Sequence, residues 1–334
     1  MTLRRATITA MGRYLPEKVL TNADLEKMVD TSDEWIIERT GIRERHIAEG
    51  MTTSDLATRA AQDLLSQRGL TPDDIDLIIV ATVTPDMFFP ATACLVQDKL
   101  GASRAWGFDL SAACCGFVYA LTTGAHFVAG GSHDRVLVIG ADVMSSIINY
   151  EDRTTCVLFG DGAGAVLLEP AEDDSGGLMD FNHHIDGSGG FFLYMPGGGS
   201  MNPASDKTVA EKLHYVHQSG PQIFKYAVRQ TCEAASSLLK KNGLTASDIS
   251  LLVSHQANAR ILDAAAERLN LPPEKVIKNI DKYGNTTAAT IPLALTDAQE
   301  QGLLKPGGLI LMVSVGAGLT VGSCLFRWTG LKSA

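Results

Sequence analysis

The stretch Ala60–Ile79, AAQDLLSQRGLTPDDIDLII, decides the fold because the chain contains it twice. Ala234–Val253 reads AASSLLKKNGLTASDISLLV, and 10 of the 20 positions are identical without a gap. In each copy apolar residues recur at helical spacing up to a glycine, Gly69 or Gly243. Glycine is the residue that most readily closes a helix in the left-handed conformation. A Leu-Thr-x-x-Asp-Ile turn follows, then an apolar strand: Leu77–Val83 (LIIVATV) in one copy, Leu251–Ser254 (LLVS) in the other.

Further elements recur outward from this core. Arg135–Gly140 (RVLVIG) and Leu309–Val315 (LILMVSV) are near-continuously apolar, as strands buried on both faces are. Phe159–Leu168 (FGDGAGAVLL) and Val315–Phe326 (VGAGLTVGSCLF) are glycine-rich entries into one more strand each. The offset between partners is not constant, so loops have been inserted or deleted. Chance likeness between short strand–helix units is the competing account. The register of glycine, turn and strand together favours duplication. Strands alternating with helices imply a mostly parallel sheet covered by helices, an α/β protein. The division is into halves 1–170 and 171–334, each within ordinary domain size. Glu169–Ser205, with Asp173, Asp174, Gly176, Gly177 and the loop Gly187–Ser200, reads as an irregular connection. Its glycines do not fit a phosphate loop, and Gly160–Ala165 (GDGAGA) lacks the dinucleotide-binding spacing.

Composition narrows the function classes. Of 334 residues, 45% are hydrophobic and 20% charged, which excludes disorder over the whole length. Lys+Arg 28 against Asp+Glu 38 leaves a net charge of −10, a poor general binder of nucleic acid. An anionic ligand therefore needs a local basic patch. No apolar run approaches the roughly 18 residues of a membrane span. Met1–Ala10 has Arg4 and Arg5 but no apolar segment after them, so no secretory signal is read. The six cysteines, 94, 114, 115, 156, 232 and 324, form no C-x-x-C. The expectation is a soluble cytoplasmic protein with free thiols.

Three residues stand where chemistry is possible. Cys114 lies in WGFDLSAACCGFVYAL (Trp106–Leu121), after a strand end and before a buried helix. A thiol at such a turn faces the positive end of the helix dipole, which favours thiolate. The alternative is a small core cysteine. Cys115 is read as packing. His255, in VSHQANARI, directly follows a buried strand, where ligands bind in open α/β sheets. A hydrogen-bonded structural histidine is the plain alternative. Asn285, in KYGNTTAATIP, follows a glycine that permits a sharp turn, and Thr286 and Thr287 are placed to cap the next helix. By itself Gly-Asn-Thr is first of all a turn. A Cys/His/Asn set serves either acyl transfer with His as base, or carbon–carbon bond formation with His and Asn stabilising an enolate. His214 and His217 have metal-pair spacing without an evident third ligand, so no metal is expected.

At this point the sequence resembles the β-ketoacyl-[acyl-carrier-protein] synthase III family of thiolase-like condensing enzymes. The resemblance covers nearly the whole chain. It rests on the ordered set Ala23–His46 (ADLEKMVDTSDEWIIERTGIRERH), Asp109–Phe117 (DLSAACCGF), Phe159–Ala165, Ser254–Arg260, Gly284–Thr287 and Gly316–Ser323. It implies a duplicated thiolase-like fold in five layers, α/β/α/β/α, and a catalytic triad Cys114, His255 and Asn285. The implied reaction is decarboxylative Claisen condensation of an acyl-CoA, expected to be acetyl-CoA, with malonyl-acyl carrier protein. The products are 3-ketoacyl-acyl carrier protein, CoA and CO2, at the start of fatty-acid synthesis. No cofactor is implied. A relative in secondary metabolism with another donor or acceptor is the alternative. Hydroxymethylglutaryl-CoA synthesis needs an acidic base, which the His/Asn pair argues against.

The resemblance also implies binding roles. Cys114 and Ala317 backbone N–H groups would form a second oxyanion hole; a third glycine is frequent where Ala317 stands. Thr31–Glu34 has capping-box spacing, so Trp35 and Arg39 fall one turn apart on a helix. The family stacks the adenine of CoA on the matching Trp, flanked by Arg39 and Arg153. Lys225 and Arg260 match positions proposed to dock the acidic carrier protein. Phe89, in PDMFFP, would enter the acyl pocket of a homodimer partner, and Phe224 would wall the pocket. Pro221 and Val321 depart from the residues frequent there, which bears on pocket shape.

Overall fold

Both copies of the repeat form a helix, a one-turn link and a strand. The computed structural model describes residues 4–173 and 175–332; Asp174 and the start of Met1–Ala10 lie outside the described residues. Two main sheets are built from β1 (Ala6–Tyr14), β2 (Leu77–Ala81), β3 (Trp106–Leu110), β4 (Val136–Asp142), β5 (Gly162–Pro170), β6 (Gly177–Ile185), β7 (Leu251–Ser254), β8 (Leu309–Gly316) and β9 (Thr320–Arg327). The principal helices are α1 (Asp33–Thr40), α2 (Thr53–Arg68), α3 (Thr92–Leu100), α4 (Gly116–Ala129), α5 (Gly220–Lys241), α6 (Ala259–Arg268) and α7 (Thr290–Glu300).

The first sheet has the order β1-β5-β4-β2-β3, with β4, β2 and β3 mutually parallel and β5 and β1 antiparallel. The second runs β7-β8-β9-β6, with β7 and β8 parallel and β9 and β6 antiparallel. The two patterns coincide strand for strand except that β3 has no full counterpart. A single parallel bridge, Leu252 to Val276, stands in its place.

Side-chain alternation builds the layers. Leu77, Ile79, Val136 and Val138 of the first sheet face Leu251, Val253, Ile310 and Met312 of the second through one shared core. Helices α4 and α7 fill that middle layer through Phe117, Val118, Leu121, Ile291, Ala294 and Leu295. Nearly all of their residues are buried, and exposed polar groups are confined to their C-terminal ends, at His126 and Glu300. The alternate residues Ile78, Val80, Leu137 and Ile139 face α2 and α3. Leu252, Leu311 and Val313 face α5. The result is the thiolase-like stack α/β/α/β/α.

The repeated turn is built identically twice. The Asp74 carboxylate accepts from the backbone N–H (2.9 Å) and hydroxyl (2.8 Å) of Thr71. Asp248 does the same for Thr245 at 2.7 and 2.8 Å. Gly69 and Gly243 have φ of 67° and 66°, so both are left-handed. The repeated turns stand 174 positions apart, and the same offset returns after a shift at α3 and α6. It relates the short 3-10 turn Ala113–Cys115 to Thr287–Ala289, and Asp142 to Gly316. The offset changes again beyond these ends, where 143–161 is longer than 317–319.

Two expectations need correction. The irregular connection Glu169–Ser205 contains β6, which pairs antiparallel with β9 and closes the second sheet. The strand read as Leu77–Val83 stops at Ala81. Thr82, Val83 and Thr84 turn out of the sheet to bond the Asp142 carboxylate.

Candidate active site

Three chain segments meet at the C-terminal ends of the parallel strands. Cys114 sits in the 3-10 turn between β3 and α4, after Ala113, whose φ of 47° lies in the left-handed region. A short side chain tolerates that conformation better than a β-branched one. His255 follows β7, and its backbone N–H donates to Val313 at 2.9 Å. Asn285 follows Gly284 (φ 64°), and its backbone bonds the first half on both sides: its N–H to Leu158 O at 2.8 Å, its carbonyl from Gly160 N–H at 3.1 Å. All three line one cavity of about 590 Å³, within the ordinary range for a small-molecule site.

The nucleophile turn is held by the other half of the chain. Ser314 Oγ donates to Cys114 O at 2.6 Å, and Thr320 Oγ1 donates to Ala112 O at 3.1 Å. Cys115 is more than packing: its thiol donates to Ser314 O at 3.1 Å and Thr320 O at 3.4 Å. Gly316 allows this approach, since a Cβ there would lie 2.9 Å from Cys114 N and 3.0 Å from Cys115 N. That contact is tighter than real Cβ atoms make, so only glycine leaves the Cys114 N–H open.

Electrostatics define the protonation states. Burial pushes the Cys114 thiol well above its ordinary range, and Cys115 and Asp142 add to the effect. The free protein therefore carries S–H, and the expectation of a dipole-stabilised thiolate is corrected. Desolvation is the first cause of the shift, and the helix proper starts two residues after Cys114, at Gly116. Burial holds His255 down at about 3, so its imidazole is neutral. Its Nδ1 is buried with no hydrogen-bond partner among the described residues. Asn285 Oδ1 accepts from Thr287 N–H at 3.0 Å, which commits the oxygen and leaves the amide N–H groups to the cavity. Thr286 and Thr287 do not cap the following helix; α7 begins after Ala289 with no side-chain cap. Thr287 Oγ1 donates to Asp142 instead.

The cavity mouth brings together part of the expected binding set. Trp35 and Arg39 line it, on a helix capped by Ser32, whose Oγ accepts from Trp35 N–H at 3.2 Å. Arg153 stacks its guanidinium over Trp35, 5.1 Å from the ring centroid, and donates to Asp30 O at 2.7 Å. Phe224, Pro221 and Arg260 line the same cavity, with the Arg260 guanidinium 5.2 Å from the Phe224 ring. Lys225 is exposed beside Phe224. Ala317 stands at the tip of the β8–β9 hairpin next to the lining residue Gly316, and its φ is not positive. Arg153, Lys225 and Ala317 adjoin lining residues without lining the cavity themselves, and Val321 and Phe89 are not part of the wall. Val321 is buried within β9, and Phe89 lies on an outer loop, 84% exposed beside Phe88. His214 bonds Thr208 Oγ1 at 2.9 Å, and His217 packs on Tyr194.

Sequence reasoning missed Asp142, Ser314 and Thr320, and gave Thr287 a capping role in place of its bond to Asp142. Asp142 left one signal: a carboxylate directly after the apolar strand RVLVIGA can be buried only where donors surround it.

No Asp or Glu lines the cavity among the described residues, so proton abstraction by a carboxylate has no agent there. A thiol to carry an acyl group beside two neutral donors, on this duplicated scaffold, defines a condensing acyltransferase of the thiolase-like class. Sequence comparison narrows the class. The model of 3-oxoacyl-[acyl-carrier-protein] synthase III matches residues 108–187, and that of the C-terminal part of the same enzyme matches 239–328. The chain is 58% identical to a β-ketoacyl-[acyl-carrier-protein] synthase III of Koribacter versatilis, covering 98% of both chains. It is 59% identical to one of Solibacter usitatus, covering 97% of this chain and 99% of the relative. A crystal structure of 3-oxoacyl-[acyl-carrier-protein] synthase III from Aquifex aeolicus superposes with a TM-score of 0.89 at 47% identity, over 97% of this chain and 100% of the other. The chain belongs to the 3-oxoacyl-[acyl-carrier-protein] synthase III family.

Proposed function

We propose that this protein condenses an acyl-CoA, acetyl-CoA in the first instance, with malonyl-acyl carrier protein, at Cys114, His255 and Asn285. The reading is carried by one observation: a buried thiol, a neutral imidazole and an amide with its oxygen already committed share one cavity.

In the first stage Cys114 sulfur adds to the acyl-CoA carbonyl. The new S–C bond forms, the CoA S–C bond breaks, and the thiol proton leaves with the CoA sulfur. One thioester replaces another, so the step is close to energetically neutral. The backbone N–H groups of Cys114 and Ala317 receive the oxyanion. In the second stage the malonyl C–CO2 bond breaks and its electron pair delocalises onto the thioester oxygen. His255 Nε2–H and Asn285 Nδ2–H donate to that oxygen. The carbanion attacks the acyl carbonyl, the S–C bond to Cys114 breaks, and the sulfur recovers a proton from solvent. A neutral His255 suits the role, because a donor is needed and the departing CO2 makes a base unnecessary.

Trp35, Arg39 and Arg153 would receive the CoA nucleotide. Arg260 and Lys225 would meet the acidic carrier, which a net charge of −10 makes dependent on such a local basic patch. Phe89 and Phe224 would bound the acyl end, Phe89 from the partner subunit of a homodimer. The two halves divide at 170/171. No helix among the described residues is long and apolar enough to cross a membrane.

The test is intact-mass measurement. Acetyl-CoA should add one acetyl group to wild type and none to Cys114→Ala. Malonyl-acyl carrier protein should then discharge it with release of CO2. Asn285→Ala should still acylate, with CO2 release reduced roughly 100- to 1,000-fold, as for loss of one oxyanion donor. Acylation without CO2 release in the wild type would refute the reading.

A further inference from the structure

The duplication places Ala113–Cys115 and Thr287–Ala289 at equivalent positions, and their backbones agree. Ala113 has φ 47° and Thr287 has φ 48°. Each is a 3-10 turn that opens a middle-layer helix, α4 or α7. Cys114 therefore corresponds to Ala288, and the strand ends facing these turns, Gly316 and Asp142, correspond to each other. In the first turn, Gly316 has no side chain and the Cys114 N–H is left open. In the second turn, Asp142 Oδ2 accepts from the Ala288 N–H at 3.1 Å and from the Thr287 hydroxyl. The carboxylate thus occupies the anion position that the first half leaves open for substrate.

Thr287 is β-branched, and a positive φ is strained for such a residue. Something must hold it there. Asp142 is fully buried and has six donors: the hydroxyls of Thr82, Thr84 and Thr287, and the N–H groups of Val83, Thr84 and Ala288. Donors on every side and no acceptor are the complement of an ionised carboxylate. The tight approach is matched by Gly140 two residues earlier, where a Cβ would fall 2.2 Å from Ala288 O. The Thr287 N–H is the group that fixes Asn285 Oδ1. A continuous chain therefore runs from Asp142 in the first half, through Thr287, to the Asn285 amide.

We propose that Asp142 is a positioning residue for the decarboxylation and condensation stage: by filling the anion site of the Thr287–Ala288 turn, it sets the loop that aims Asn285 into the cavity. The inference rests on the reading of Asn285 given above. The acylation stage uses the Cys114 turn, which Ser314 and Thr320 hold independently.

The experiment measures the two stages separately in wild type, Asp142→Asn, Thr287→Val and Thr287→Ser. Rates of Cys114 acetylation by acetyl-CoA report the first stage. CO2 release from malonyl-acyl carrier protein reports the second. In Asp142→Asn and Thr287→Val, CO2 release should fall about 100-fold, the scale of a misplaced group; acetylation should stay within about 3-fold of wild type in Thr287→Val and should not slow in Asp142→Asn, where loss of the charge only eases ionisation of Cys114. Thr287→Ser keeps the hydroxyl and should retain CO2 release. In an Asn285→Ala background, Thr287→Val should slow CO2 release no further, because the two act in series. Equal losses in both stages, or an additive double variant, overturn the proposal and leave Asp142 a merely structural group. If Asp142→Asn does not fold, the Thr287 pair decides alone. A wild-type protein that acetylates without releasing CO2 removes the reading of Asn285 itself, an outcome distinct from failure of the variants.

Discussion

Ser314 Oγ donates a 2.6 Å hydrogen bond to the carbonyl of Cys114, 200 residues away in the chain and in the opposite half of the molecule. Both groups are buried, so removing the hydroxyl leaves a carbonyl without its partner. Ser314→Ala should lower stability by about 1–3 kcal/mol. It should also slow Cys114 acetylation, since the turn loses one of its two hydroxyl anchors. Urea denaturation and intact-mass kinetics check the pair of effects. An unchanged midpoint together with an unchanged acetylation rate would contradict this account of the turn.

His255 links pH to stability. Burial holds its folded pKa at about 3, below the unfolded value of 6.5. The unfolded chain therefore takes up the proton first. The contribution is complete above pH 6.5 and is lost as pH falls toward 3. Wild type should lose stability over that interval more steeply than His255→Gln, which has no titrating group there. Coincident urea-midpoint profiles for the two proteins would show that the imidazole is not buried in its neutral form.

The Cys114 thiol is raised, not lowered, by its surroundings, with burial the first cause. Alkylation of Cys114 by iodoacetamide, followed by peptide mapping, should climb with pH through the ordinary thiol range near 8.5 without levelling off. A plateau at neutral pH would mean a preformed thiolate and would return the helix dipole to the leading role.

Trp35 carries an arginine on its face and lines the cavity mouth. Stacking of a base on an aromatic ring contributes about 1–3 kcal/mol, so Trp35→Ala should raise KM for acetyl-CoA roughly 10-fold with kcat changed little. A fall in kcat at constant KM would place Trp35 in the chemistry rather than in binding.

Much of the architecture was legible because it is written twice. A repeated helix, turn and strand in one register favours two related layered halves over chance likeness, and the continuous apolar strands require helices on both faces. The edge strand β6 escaped notice for a physical reason. An edge strand is paired on one side and partly open to solvent, so GLMDFNHHI can be polar and still close the sheet. The triad positions were visible only as three turns after strands, each with a plain structural alternative. What raised them together was the resemblance of the whole ordered set.

The chain's own residue pattern determined the duplicated α/β scaffold, the turns that carry Cys114, His255 and Asn285, and the absence of any long apolar span. Only the tertiary structure decided their working state. The thiol is protonated and the imidazole neutral because the packed halves exclude water. Asn285 presents its N–H groups because Thr287 takes its oxygen. Asp142 and Gly316, equivalent by duplication, play opposite parts at the two turns. The contact of Asp142 with the Thr287–Ala288 turn joins residues more than a hundred positions apart, and local spacing carries no record of which distant groups folding will bring into contact.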